Sequence, residues 1–178
     1  MNTAWTCACC GKEYDKLSFA YALDEPDNWG AVPREERHYR GVLGSDSCVI
    51  DQKEFYVRGR IVIPVIGFDE PFIWGCWALV SKESFERFGQ LWSVEVREHE
   101  PPFPAEIAND IPLYPTTVGL ACKVAMKNAR KRPSFMIAPD DHPLAIEQRN
   151  GITLDRVKEI AALVMRHKNK ESLSQPGV

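Results

Sequence analysis

Two long apolar runs separated by a short turn constrain this chain most. Residues 54–66, EFYVRGRIVIPVI, place Phe55, Val57, Ile61, Ile63 and Val65 on one side of an extended chain. Arg58 and Arg60 fall on the other side, because successive side chains of a strand alternate. The pattern predicts a strand that ends near Pro64.

The second run, PFIWGCWALV at residues 71–80, is apolar at both alternating sets of positions. A strand of this kind is typically covered on both of its faces, which predicts a central position in a sheet. The turn-like residues GFDE lie between the two runs. Long adjacent strands therefore define the expected sheet.

Helix signals follow these strands. Ser81 is a typical N-cap for a helix from Lys82 to about Trp92, and Thr153 is one for a final helix with an apolar stripe. Residues 117–128 and 133–139 indicate an antiparallel hairpin, whereas five prolines at residues 100–116 predict a loop with room for one short strand. The fold class is thus α+β, a mainly antiparallel sheet covered by two or three helices.

The bulk composition fits one globular domain of 178 residues, 44% hydrophobic and 26% charged. We expect the domain to span residues 1–167 and a flexible tail to span 168–178. The net charge of −3 argues against a general nucleic-acid binder. No apolar run is long enough to cross a membrane, so a cytoplasmic protein is expected.

A Cys-x-x-Cys-Gly pattern at Cys7, Cys10 and Gly11 is typical of a zinc knuckle. A structural zinc site needs four ligands, and no second such pair follows. Further candidate ligands are Cys48, His38, Cys76 and Cys122. A redox pair and two buried thiols are the alternatives, and the residues alone leave the choice open.

Other candidate sites are less specific. His142 beside Asp140 and Asp141 could act as a general base, although the same segment, with Asp141 as N-cap, resembles a helix start. Arg58 and Arg60 could bind an anionic ligand.

An acidic and aromatic segment lies earlier in the chain. It contains Asp24, Glu25, Asp27 and Trp29, which could present a surface to a basic protein partner.

Five ordered segments resemble the bacterial family named domain of unknown function 2199. They are CACCG, DSCVID, FYVRGRIVIPV, EPFIWGCWALVSKESFERF and HPLAIEQRNGIT. The resemblance implies a compact bacterial domain without an assigned activity, and it makes Cys48 the preferred third metal ligand. It also implies a histidine shortly after the knuckle, where this chain has Tyr14.

The first functional hypothesis is a binding module, with an immunity (antitoxin-like) protein as one version. The second is a hydrolase-type enzyme that uses His142 with Asp140 or Asp141 and binds an anion at Arg58 or Arg60. No Gly-x-Ser-x-Gly, Walker loop or His-Glu-x-x-His motif is present, which removes common enzyme classes. The oligomeric state is left open.

Overall fold

The computed structural model describes residues 4–7, 10–129, 131–139 and 141–173, with side chains in the last helix described up to Arg166. Its described part contains ten strands and five helices. The strands are β1 Trp5–Thr6, β2 Glu13–Tyr14, β3 Ala20–Ala22, β4 Gly41–Leu43, β5 Ser47–Ile50, β6 Glu54–Ile63, β7 Phe72–Val80, β8 Phe103–Ile107, β9 Ala121–Ala125 and β10 Ser134–Ile137. The helices are α1 Asp27–Ala31, α2 Arg37–Arg40, α3 Lys82–Leu91, α4 Pro143–Asn150 and α5 Leu154–Leu173.

The long strands and the capped helices are where the sequence predicts them. β6 and β7 form an antiparallel pair from Phe55↔Val80 to Ile63↔Phe72. Ser81 caps α3, since its hydroxyl accepts a hydrogen bond from the backbone N–H of Ser84. The predicted hairpin is confirmed as β9 paired antiparallel with β10.

The sheet departs from the mainly antiparallel arrangement expected from sequence. It is mixed, because β3 runs parallel to β7 and β10 runs parallel to β6. Strands β6, β7, β8, β9 and β10 also close on themselves, so the centre of the fold is a five-stranded barrel. The closing contact is a single register pair, Ser134↔Arg60.

The barrel interior is filled by the apolar side chains that alternate along its strands. The buried set includes Val57, Ile61, Ile63, Trp74, Cys76, Ala78, Ala105, Ile107, Cys122, Val124 and Phe135. α3 packs Phe85 against Phe55, with the rings tilted and their centroids 5.3 Å apart, and α5 adds Val157 and Ile160 to the same core. Each such buried aliphatic side chain stabilises the fold by about 1.5–3 kcal/mol.

A smaller apolar cluster covers one part of the outer barrel face. Trp29 and Val32, from α1 and the residue after it, pack with Cys48, Tyr56 and Trp77. Two of the five described helices, α1 and α2, have only five and four residues. Helices of this length show no 3.6-residue hydrophobic pattern, so the sequence did not predict them. No helix in the described ranges has the length and apolarity that crossing a bilayer requires.

Candidate functional site

Arg58 and Arg60 share the outer face of β6, as the alternation of that strand predicts. Arg58 lies opposite Trp77 on β7, with its guanidinium carbon 5.5 Å from the indole centroid. Arg60 lies opposite Gly75 on one side and beside Ser134 on the other. Ala22 of β3 lies close to Gly75, since a Cβ added at Gly75 would be 3.0 Å from the Ala22 Cβ.

The hydrogen bonds of these two arginines go mainly to backbone oxygens. Arg58 Nη2 donates to the carbonyl of Leu23 at 3.1 Å, and Arg60 Nη2 donates to the carbonyl of Arg132 at 3.4 Å. The nearest carboxylate to Arg58 among the described residues is that of Asp24, 3.7 Å away and 98% exposed. The Nε atoms of both arginines are enclosed and have no hydrogen-bond partner among the described residues.

A third arginine, Arg132, joins them from the turn between β9 and β10. Its Nε donates to Asp46 Oδ1 at 2.6 Å, while Asp46 also accepts from the hydroxyl of Ser45. Burial alone would raise the pKa of Asp46, but these hydrogen bonds and the charges of Arg132 and Arg58 hold it below its ordinary value. We call Arg58, Arg60 and Arg132 the arginine cluster.

A cavity of about 400 Å³ adjoins this cluster. Val62, two residues after Arg60 on the same face of β6, lines it together with Ser134. Its remaining lining comes from β10 and α4 and comprises Phe135, Met136, Ile137, Ala145, Gln148 and Arg149. The lining is therefore more apolar than polar, and its polar side chains are those of Ser134, Gln148 and Arg149.

The candidate metal ligands are placed in two different parts of the molecule. Cys7 is buried and Cys10 is exposed in the turn between β1 and β2, where Gly11 has a φ of +71° and donates its N–H to the Cys7 carbonyl at 2.8 Å. Cys48 is buried in the cluster around Trp29, and burial raises its pKa to about 12.

No group of three or more His, Cys, Asp or Glu side chains suited to a metal ion occurs within the described residues. The proposed set of Cys7, Cys10 and Cys48 is accordingly not brought together there. Zinc binding stays a prediction for elemental analysis to test.

The acidic and aromatic segment is largely occupied by contacts inside the protein. Trp29 is only 5% exposed, so it does not present an aromatic surface. Glu25 forms an ion pair with Arg37, and Asp27 accepts hydrogen bonds from the Asn109 side chain and the Asp110 backbone. Asp24 is the member of this segment that is fully open to solvent.

His142 caps α4 in the structure, one residue later than the Asp141 cap considered from sequence. Its Nδ1 accepts a hydrogen bond from the backbone N–H of Leu144 at 3.2 Å. Its Nε2 is enclosed without a hydrogen-bond partner among the described residues, and Asp141 forms no hydrogen bond with it there. Asp140 lies outside the described residues.

Sequence reasoning missed Arg132 and Ser134, which reach the site only through the pairing of β10 with β6. It also missed a polar network at the opposite side of α4: Tyr114 donates to Glu147, which accepts from Arg156 Nε at 2.9 Å. Burial and the adjacent carboxylate raise the pKa of Tyr114. This network ties the loop after β8 to α4 and α5, and its hydrogen bonds are internal.

The fold and the site together define an α+β protein built on a closed five-stranded barrel with an arginine cluster on its outer face. The chain belongs to the family described as an uncharacterized protein conserved in bacteria, DUF2199, which matches residues 6–152. This result confirms the resemblance drawn from the five sequence segments. The chain matches no curated protein and no solved structure.

Proposed function

We propose that this protein is a binding module that holds an anionic ligand at Arg58 and Arg60. The observation that carries this proposal is that Arg58 and Arg60 share one strand face, and that the Nε atom of each is enclosed without a hydrogen-bond partner among the described residues. Arg58 is only 14% exposed; of its acidic neighbours, Asp24 lies 3.7 Å away in solvent and Asp46 forms its ion pair with Arg132. Enclosed guanidinium groups are normally paired, so an anion from outside the chain would complete their interactions.

The surroundings of the two arginines on the outer barrel face support the same proposal. Trp29 and its neighbours cover Tyr56, the residue before Arg58 on that face. Beyond Arg60 the face continues into the 400 Å³ cavity at Val62. A ligand with an anionic end and an apolar body would thus contact the arginines and the cavity together.

An immunity-like role is one version of this proposal, in which the anionic group belongs to a partner protein. It would use the arginine cluster as the contact surface, since the aromatic side chain of the acidic segment is buried. Recovery of a stoichiometric protein with the tagged chain, lost on replacement of Arg60, would support this version. Recovery that is unchanged by that replacement would contradict it.

The proposal is tested by titrating small anions into the purified protein and following the heat of binding. The substitutions Arg58→Met and Arg60→Met keep side-chain length but remove the charged donors. Hydrogen bonds to charged groups contribute about 1.5–3 kcal/mol, so each substitution should weaken binding by about tenfold or more.

The matched control is Arg87→Met, which removes the same charge from the exposed surface of α3. Arg87 is 50% exposed and pairs with Glu100, and neither residue contacts a member of the arginine cluster in a described hydrogen bond or ion pair. This control should leave the affinity unchanged. Equal losses in Arg60→Met and Arg87→Met, or no binding of any anion by the unmodified protein, would refute the proposed function.

A further inference from the structure

The arginine cluster carries more positive charge than one carboxylate ligand would balance. Resting on the proposed function, we infer that the ligand is a phosphate monoester carried on a small apolar body. The inference depends on the charge balance at Arg58, Arg60 and Arg132, on the spacing of their donors, and on the adjoining cavity.

The charge balance favours a doubly charged anion. Of the acidic side chains at the cluster, Asp46 is held closely, at 2.6 Å from Arg132 Nε. Asp24 is 98% exposed and 3.7 Å from Arg58, so water screens most of its charge. Three guanidinium charges against one enclosed carboxylate leave two positive charges, which a phosphate monoester dianion matches.

The spacing of the donors also suits a tetrahedral group. Arg58 and Arg60 are two residues apart on one strand face, with Cβ atoms about 7 Å apart. Their guanidinium groups also lie apart, since one donates to the Leu23 carbonyl and the other to the Arg132 carbonyl. A carboxylate has two oxygens in a plane and is satisfied by one guanidinium, whereas a phosphate monoester offers three oxygens that diverge toward several donors. The hydroxyl of Ser134, in register with Arg60, supplies a neutral donor between the cluster and the cavity.

The cavity determines what is attached to the phosphate. Its lining next to Ser134 is apolar, from Val62, Met136, Ile137 and Ala145. The amide of Gln148 is already used, because it accepts from the Ile137 N–H and donates to the Phe135 carbonyl. An apolar or aromatic body of modest size therefore fits this space better than a strongly polar one.

Three probes with one common ring test the charge requirement: phenyl phosphate, phenyl sulfate and benzoate. At pH 8 the first carries two negative charges and the others carry one, because the second pKa of a phosphate monoester is near 6. Isothermal titration should give an affinity for phenyl phosphate at least about fivefold above that for the other two. Inorganic phosphate, which lacks the ring, should bind several-fold more weakly than phenyl phosphate.

Two variants assign the binding to the cluster. Arg60→Lys keeps the charge but loses the planar pair of donors, so it should weaken phosphate binding less than Arg60→Met does. Arg87→Met should bind phenyl phosphate as the unmodified protein does. Circular dichroism of each variant establishes that it is folded before its affinity is compared.

The possible outcomes separate this inference from the proposed function. If benzoate binds as tightly as phenyl phosphate and both depend on Arg60, the inference is overturned while the anion-binding function stands. If inorganic phosphate binds as tightly as phenyl phosphate, the inference that the ligand carries an apolar body is overturned. If no probe binds in an Arg60-dependent manner, the proposed function itself fails and the inference fails with it.

Discussion

Gly59 is placed where only a hydrogen atom fits, which makes Gly59→Ala a quantitative test of the barrel packing. A Cβ at this position would lie 2.4 Å from two ring carbons of Phe135. Normal carbon–carbon contacts are about 3.5–4.0 Å, so the ring would have to move by more than about 1 Å. Phe135 is 0% exposed in the barrel interior, where close packing resists displacement of the ring.

The expected cost follows from this overlap. Overpacking a buried site typically costs about 1–3 kcal/mol, and the size of this overlap places Gly59→Ala toward the upper end. Replacing a strand glycine recovers about 0.5–1 kcal/mol of backbone entropy. The net loss of unfolding free energy should be about 2 kcal/mol, or a melting temperature lower by about 4–8 °C in a chain of this size.

A double-mutant cycle with Phe135→Leu checks the cause, measured by urea denaturation followed by circular dichroism. Phe135→Leu alone should destabilise the protein, because it leaves space in the core. In the double variant that space accepts the new methyl group, so the combined loss should be smaller than the sum of the single losses by at least about 1 kcal/mol. Additive losses would refute the steric explanation.

Three further predictions address charge and metal. Arg97 is 1% exposed, and its guanidinium donates four hydrogen bonds to backbone carbonyls. Arg97→Met should therefore lower the unfolding free energy by about 3–5 kcal/mol in the same denaturation assay. A loss below about 1 kcal/mol would contradict this prediction. The pKa of Asp46 is lower in the folded than in the unfolded chain, so its contribution is present above about pH 4 and is lost as the pH falls further. Asp46→Asn should reduce the fall in unfolding free energy below about pH 4. A profile of stability against pH that is unchanged by this substitution would contradict the role given to Asp46. Elemental analysis should find about one zinc per chain, released in Cys7→Ser and Cys10→Ser, if the N-terminal turn is a metal knuckle; a metal-free protein whose stability a chelator does not change would reject the knuckle.

Local signals were enough to predict the long elements. The alternation in β6 and β7 and the caps Ser81 and Thr153 are properties of neighbouring residues, and they set the strands, α3 and the start of α5. For the same reason Arg58 and Arg60 could be assigned to one strand face. These predictions require no knowledge of what packs against the strand.

Closure of the barrel could not be predicted in this way. It depends on the fit of Phe135 against Gly59, residues 76 positions apart in the chain, and on a parallel pairing without local sequence signature. Arg132 and Ser134 enter the site only because of that closure. Trp29 is a similar case: beside three acidic residues it resembles a surface anchor, whereas the five-residue helix α1 turns it into the core.

The junction between β10 and β6 has the fewest register pairs of the five junctions described in the barrel. Within the described residues β6 and β7 share nine register pairs, whereas β10 and β6 share one, Ser134↔Arg60. Partial opening should begin here, and amide hydrogen exchange should be faster in β10 than in the paired centres of β6 and β7. Because Arg60 belongs to this junction, a bound anion would slow exchange along β10, and ligand occupancy would be visible in the opening rate of the barrel.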